Sequence, residues 1–149
     1  MTDKSQQTCL AQAGIAKDKS FGAVVPPLHT STTFIWPDIE HKGPYDYGRT
    51  VNPTRDILRH TLVDLEGGAD GEITASGMAA IDLVFNLLHA DDLIIAPHDC
   101  YGGTHRLLTH RALQGRMRVE FVDQGDDSAL DAAMAKRPTL VLGGTPSDQ

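Results

Sequence analysis

The pattern of apolar and polar positions changes character near residue 52. From there to about residue 143, helix-period and strand-like segments alternate. Asn52-Pro53 predicts a helix start, with Asn52 as cap and Pro53 where a missing N–H costs nothing. Ile57, Leu58, Leu62 and Leu65 then recur at helical spacing, and Gly67-Gly68 closes the helix. A short strand is expected from Glu72 to Ala75. Ser76-Gly77-Met78 leads into a helix to about His89, and its Ile81, Leu83, Val84, Phe85, Leu87 and Leu88 predict burial on nearly every face. Leu93-Ile94-Ile95-Ala96 is the continuous apolar run of an interior parallel strand. After a loop from Pro97 to Gly103 come a helix to Gly115, a strand over Val119–Val122, a helix over Ser128–Lys136 and a strand over Thr139–Leu142. This alternation predicts an α/β fold, a parallel-rich sheet with helices on both faces. Ligands of such sheets sit at the carboxyl ends of the strands. Ser76 and the His98–Tyr101 segment both lie just past predicted strand ends.

The first 52 residues lack this rhythm. Phe21 to Tyr47 carries Pro26-Pro27, Pro37 and Gly43-Pro44 without periodicity, which is unusual inside a compact domain. Val24, Val25, Leu28, Phe34, Ile35 and Trp36 make it too apolar for plain disorder. The expected organisation is an irregular arm, 1–52, that packs on another subunit, followed by a cofactor-binding α/β domain, 53–149.

Composition narrows the partners. A length of 149 residues buries one core but not a second, substrate-binding domain. A net charge of −7 with no dense basic run argues against nucleic acid and anionic membrane. Any anion site must therefore be local. Cys9 and Cys100 are far apart, which reads as two reduced thiols in a cytoplasmic protein. The N-terminus has no apolar signal region, and no apolar run approaches the ~20 residues of a membrane span.

Three segments are candidates for chemistry. Ser76-Gly77-Met78 can present helix N–H groups and a positive dipole end to a phosphate; it also reads as an ordinary serine cap with a turn glycine. In Tyr47-Gly48-Arg49 the guanidinium fork and phenol suit phosphate, though an exposed Tyr and Arg near a helix start have no necessary role. In Tyr101-Gly102-Gly103-Thr104-His105-Arg106 a tyrosine can lie flat on a planar ligand and Arg106 can reach a carboxylate; the alternative is a glycine loop with a surface arginine. Neither GxxxxGK[ST] nor a GxGxxG after a strand is present. No Cys/His spacing matches a zinc site.

Taken together, YGRTVNPTRDILRHTLVDLEGG, ITASGMAAI, IIAPHDCYGGTHRL and FVDQGDD resemble the cystathionine γ-synthase group of pyridoxal-5′-phosphate (PLP) enzymes of Cys/Met metabolism. The resemblance runs from about Gly22 to Leu142. It implies part of the fold type I PLP-transferase architecture. It also implies roles residue by residue. Ser76, Gly77 and Met78 match the phosphate-binding turn, and Tyr101 matches the tyrosine that stacks on the pyridine. Tyr47 and Arg49 match a pair that reaches the phosphate of the neighbouring subunit in a homo-oligomer. Arg106 matches an arginine near the substrate's distal carboxylate, and Asp46 lies in the same substrate-side segment.

Where the group continues with Glu-Ser-Pro-x-Asn-Pro, this sequence has Gly144-Thr145-Pro146-Ser147-Asp148-Gln149. None of Lys4, Lys17, Lys19, Lys42 and Lys136 sits in a motif like that of the Schiff-base lysine. The expectation is therefore the N-terminal portion of a γ-synthase-like enzyme, carrying the rim of the site without its reactive centre and inactive by itself. The implied reaction replaces the acyl group of an acylated homoserine with cysteine to give cystathionine, a step of methionine biosynthesis. The rival readings are a portion of a β- or γ-lyase or homoserine sulfhydrylase, and a non-catalytic remnant or interaction module.

Overall fold

The computed structural model describes residues 5–144. It divides into two compact units, Met1–Ile73 and Thr74–Gln149.

The first unit holds two helices and irregular chain. Helix α1, Gln6–Ala11, has little apolar period and was not anticipated; Ser5 caps it by accepting the N–H of Thr8 at 3.3 Å. Helix α2, Pro53–Glu66, starts and stops as expected. The Asn52 carboxamide oxygen accepts from the N–H groups of Thr54 and Arg55, at 2.8 and 3.4 Å. Gly67 ends the helix at φ 63°, a left-handed conformation that glycine adopts without steric cost. The irregular segment is tied to this helix by polar bonds. Asn52 donates to the His29 carbonyl, Thr54 Oγ1 accepts from the His29 N–H, and the Tyr45 hydroxyl donates to Asp56 at 3.1 Å. Its apolar side chains stay largely outside: Phe21, Val24, Val25, Leu28, Ile35 and Ile39 are exposed, and Phe34 is half-buried against Tyr45.

The second unit is a small α/β layer structure. Helix α3, Gly77–Phe85, is followed by strand β1, Leu93–Pro97, helix α4, Gly102–Leu113, strand β2, Arg118–Val122, helix α5, Asp127–Met134, and strand β3, Leu140–Val141. The strands form a parallel sheet in the order β2-β1-β3, with Ile94 opposite Val119 and Leu140. Alternation along β1 sends side chains to both faces. Ile94 and Ala96 pack with Phe85, Leu108 and Met117; Leu93 and Ile95 pack with Val122 and Ala133. Helices α3 and α4 thus cover one face and α5 the other.

Two expectations are corrected. Residues 72–75 form no strand, because a strand exists only with a hydrogen-bonded neighbour and this segment has none among the described residues. Helix α3 is not buried all round: Phe85 faces the core, but Leu83 and Val84, and Leu87 just beyond the helix, are exposed. One sheet face gives a helix one packing side; the opposite side meets no element of this unit among the described residues.

Candidate functional site

The segment after β1 and the turn before α3 converge within the second unit. Ser76 has extended backbone, and its hydroxyl accepts the Ala79 N–H at 3.2 Å while its carbonyl accepts that of Ala80. The first-turn N–H groups of Gly77 and Met78 have no intrahelical acceptor and point out of the helix end, where the dipole is positive. Nothing lies within 4 Å of the point where a Gly77 Cβ would stand, so the turn is open to a ligand.

Tyr101 occupies the cap position of α4, but its side chain makes no capping bond and is 54% exposed. Its ring lies over Gly103. A Cβ there would stand 2.5 Å from Tyr101 Cε1 and 3.1 Å from Met78 Sδ. Thr104, the buried polar residue of the core, donates its hydroxyl toward the same sulfur at 3.9 Å. Met78 therefore brings the α3 turn to the start of α4, next to the space over which the tyrosine lies. The exposed Arg106 folds back along α4, with a terminal nitrogen 3.9 Å from the Cβ position of Gly102. Ser76, Gly77, Met78, Tyr101 and Arg106 are thus all gathered around the first turns of α3 and α4.

The other expected site residues belong to the first unit. Thr33 and Tyr47 form an antiparallel bridge, and Gly48 donates its N–H to the Thr32 carbonyl. A Cβ on Gly48 would stand 2.9 Å from the Ser31 carbonyl oxygen, so the residue between Tyr47 and Arg49 has no room for a side chain. Arg49 donates to the Tyr47 hydroxyl at 2.7 Å, with its guanidinium 5.0 Å from the ring centre. The two groups are held as a pair with further guanidinium donors to spare. Asp46 pairs with Lys42 at 2.7 Å; that hydrogen bond, with others from the Tyr47 N–H and Thr50, holds its carboxyl below the usual range.

Two features were not read from the sequence. Arg55 donates to the carbonyls of Arg49 and Thr50, at 3.3 and 2.6 Å, and so braces the segment carrying Tyr47 and Arg49. It stands in the first turn of α2, and nothing in its sequence context marks that reach. Met78 and the Tyr101 ring also both border the space a Gly103 side chain would fill, a meeting of segments that sequence spacing does not reveal. A cavity of about 910 Å³ lies in the first unit among Gly14, Pro26, Tyr45 and Ile57 and includes none of the expected site residues.

These parts suit a flat, phosphorylated ring: an open helix end for an anion and an exposed tyrosine beside it. The family description "Cys/Met metabolism PLP-dependent enzyme" matches residues 7–149. The chain belongs to this family. It is 46% identical over 146 residues to the cystathionine gamma-synthase of Escherichia coli (strain K12), a match covering 97% of this chain and 38% of that protein. It is 36% identical to the cystathionine beta-lyase of Schizosaccharomyces pombe (strain 972 / ATCC 24843), covering 82% and 31%. The solved cystathionine gamma synthase of Xanthomonas oryzae pv. oryzae, in complex with aminoacrylate and cysteine, superposes with a TM-score of 0.96 at 42% identity over 99% of this chain and 38% of that one. The α/β fold is thus that of a partial PLP-enzyme domain, and the family's cofactor is PLP. The chain spans about 38% of the length of these γ-synthases. The departure from Glu-Ser-Pro-x-Asn-Pro at Thr145–Gln149, and Lys4, lie outside the described residues.

Proposed function

We propose that this chain is the PLP-binding rim of a transsulfuration enzyme of the cystathionine γ-synthase type. The observation that carries the reading is the convergence of the open Ser76-Gly77-Met78 turn and the exposed Tyr101 ring through Met78 and Gly103. The greater identity to the Escherichia coli γ-synthase than to the fission-yeast β-lyase supports that choice over a lyase portion.

In this reading the N–H groups of Gly77 and Met78, with the Ser76 hydroxyl, bind the phosphate, and Tyr101 covers one face of the pyridine. Arg106 orients a substrate carboxylate. Tyr47 and Arg49 donate to the phosphate held by another subunit, with Asp46 on the substrate side, and the arm 1–52 makes the subunit contact. Bound PLP supplies an electron sink for negative charge at the substrate α-carbon. The whole enzyme replaces the acyloxy group of an O-acyl-homoserine, which leaves as a carboxylate, with the sulfur of cysteine. This 149-residue polypeptide by itself lacks a recognisable cofactor-binding lysine. Two of its lysines are engaged: Lys136 donates to Glu120 at 2.6 Å and Lys42 to Asp46.

The test compares PLP with pyridoxal, which lacks the phosphate. The expected result is weak, concentration-dependent binding of PLP, weaker binding of pyridoxal, and no turnover of acyl-homoserine with cysteine. Equal binding of the two aldehydes sinks the phosphate assignment. A borohydride-stable adduct at one specific lysine, at stoichiometric PLP, overturns the claim that the reactive centre is missing; scattered labelling of exposed amines does not.

A further inference from the structure

We propose that Gly103 and Met78 are positioning residues that set the angle of the Tyr101 ring, Gly103 by leaving room beneath it and Met78 by flooring that room with its sulfur. The inference rests on the reading of Tyr101 as the residue that covers the cofactor ring, but its geometry stands in the protein alone. Tyr101 caps α4 without a side-chain bond, and among the described residues no hydrogen bond fixes its ring. Something else must, because a half-exposed aromatic otherwise samples several rotamers. The atoms available are those around Gly103. Tyr101 Cε1 and Cδ1 come to 2.5 and 3.1 Å, and Met78 Sδ to 3.1 Å, from the place of its missing Cβ. Sulfur and ring thus border the same empty space, at a spacing where a polarizable thioether is favourable to an aromatic ring. The sulfur is itself approached by the buried Thr104 hydroxyl, which joins the floor to the core.

The arrangement separates cofactor geometry from fold stability. Gly103 sits in the first turn of α4 without the positive φ that only glycine tolerates well. Alanine is the better helix former there. A methyl group added at Gly103 cannot share space with the ring, and the ring, being half-exposed, swings away at small cost. Gly103→Ala therefore keeps or raises the Tm, by up to about 2–4 °C, while displacing the tyrosine. With the ring misplaced, PLP binding weakens by about three- to tenfold, the size of a lost aromatic contact. Inorganic phosphate, which needs the Ser76 turn but no ring, binds unchanged.

The experiment uses the full chain with carbon-13-labelled methionine methyl groups. Met78 is assigned with Met78→Leu, and the ring-current contribution of Tyr101 is read from Tyr101→Leu. The expected result is that Gly103→Ala moves the Met78 methyl signal toward its Tyr101→Leu position with the Tm held or raised. PLP titrations of wild type and Gly103→Ala form the second arm. A Met78 methyl signal that stays at its wild-type position in Gly103→Ala overturns the inference, whatever PLP does. Wild-type chain that binds neither phosphate nor PLP instead overturns the cofactor reading, and the methyl shift still decides the geometry. If wild type binds PLP and Gly103→Ala binds it equally well, the ring angle does not serve the cofactor and the proposal fails.

Discussion

In the unit from Thr74 onward, Phe85, Ile94, Ile95 and Leu108 are almost wholly removed from solvent, and β1 is buried along its length. In the unit up to Ile73, no large apolar side chain among the described residues is buried, while Phe21, Ile35 and Ile39 are nearly fully exposed. That unit keeps its form by polar ties instead: Asn52 and Thr54 to His29, Tyr45 to Asp56, Arg59 to Asp70, and Arg55 to the Arg49 and Thr50 carbonyls. The contrast teaches that a short chain can specify a conformation by two routes. A core excludes water and is worth several kcal/mol per large side chain. A set of exposed hydrogen bonds fixes geometry, but each contributes only about 1 kcal/mol net. The first route makes a platform for α3 and α4; the second holds a unit whose apolar side chains lie open to solvent.

The largest expected effect is on the core. Leu108→Ala should destabilise the second unit by about 2–5 kcal/mol, because it removes a fully buried side chain beside Ile94 and Phe85. The matched change Leu28→Ala, at a side chain 81% exposed, should stay within about 0.5 kcal/mol. Urea denaturation of both variants checks the pair. Equal losses would show that the arm has a core of its own and would break the comparison.

Next in size is Asn52→Ala. Its carboxamide both caps α2 and donates to the His29 carbonyl, so its loss should cost about 1–2 kcal/mol. The loss should be local: hydrogen exchange should quicken in the first turn of α2 and stay slow at Ile94 and Ile95. Smaller again for stability, Ile35→Asp should change the folding free energy by no more than about 0.5 kcal/mol but reduce self-association of the chain. Sedimentation at several concentrations measures this. Unchanged association would remove the arm's apolar surface from the proposed subunit contact.

How far the sequence reveals the fold follows the same division. β1 was readable because a buried parallel strand needs a run of apolar residues, and Leu93-Ile94-Ile95-Ala96 has no other easy reading. The ends of α2 were readable because Asn52-Pro53 and Gly67 act through local backbone chemistry. The supposed strand at 72–75 failed because pairing is a property of two segments, and the apolar side of α3 misled because burial depends on what packs outside it. In the site, Ser76 and Tyr101 were legible as residues just past element ends. The meeting of Met78 with Gly103 was not, since it depends on how α3 and α4 lie on the sheet. Arg55 likewise carries no mark in the sequence that it reaches back to the Arg49 carbonyl.

The smallest effect expected is a difference in acid sensitivity. Four carboxylates of the first unit, Asp18, Asp38, Asp46 and Asp70, are held below the ordinary carboxylate range, against Asp92 in the second. The leading causes are a backbone N–H from Ser20 for Asp18, the His41 side chain for Asp38, Lys42 for Asp46, the Gly71 N–H for Asp70 and the His89 N–H for Asp92. A depressed folded pKa means that the unfolded chain takes up protons first. The stabilisation is therefore complete above about pH 4 and is lost as pH falls through the lower folded values. Asp38 and Asp70 are exposed and Asp18, Asp46 and Asp92 are half-buried at the surface, so solvent screens each of them, each contributes little and salt weakens it further. The first unit has more such groups and no buried core to fall back on, so it should loosen first. Trp36, the single tryptophan, reports on it, lying beside Lys42, the partner of Asp46. Below about pH 4, Trp36 fluorescence should change before the amide signals of Ile94 and Ile95 move. Asp46→Asn should shift the early change by removing one of the titrating groups. A single transition shared by Trp36 and the β1 amides would mean that the two units unfold as one, and that the polar ties of the arm are backed by the core after all.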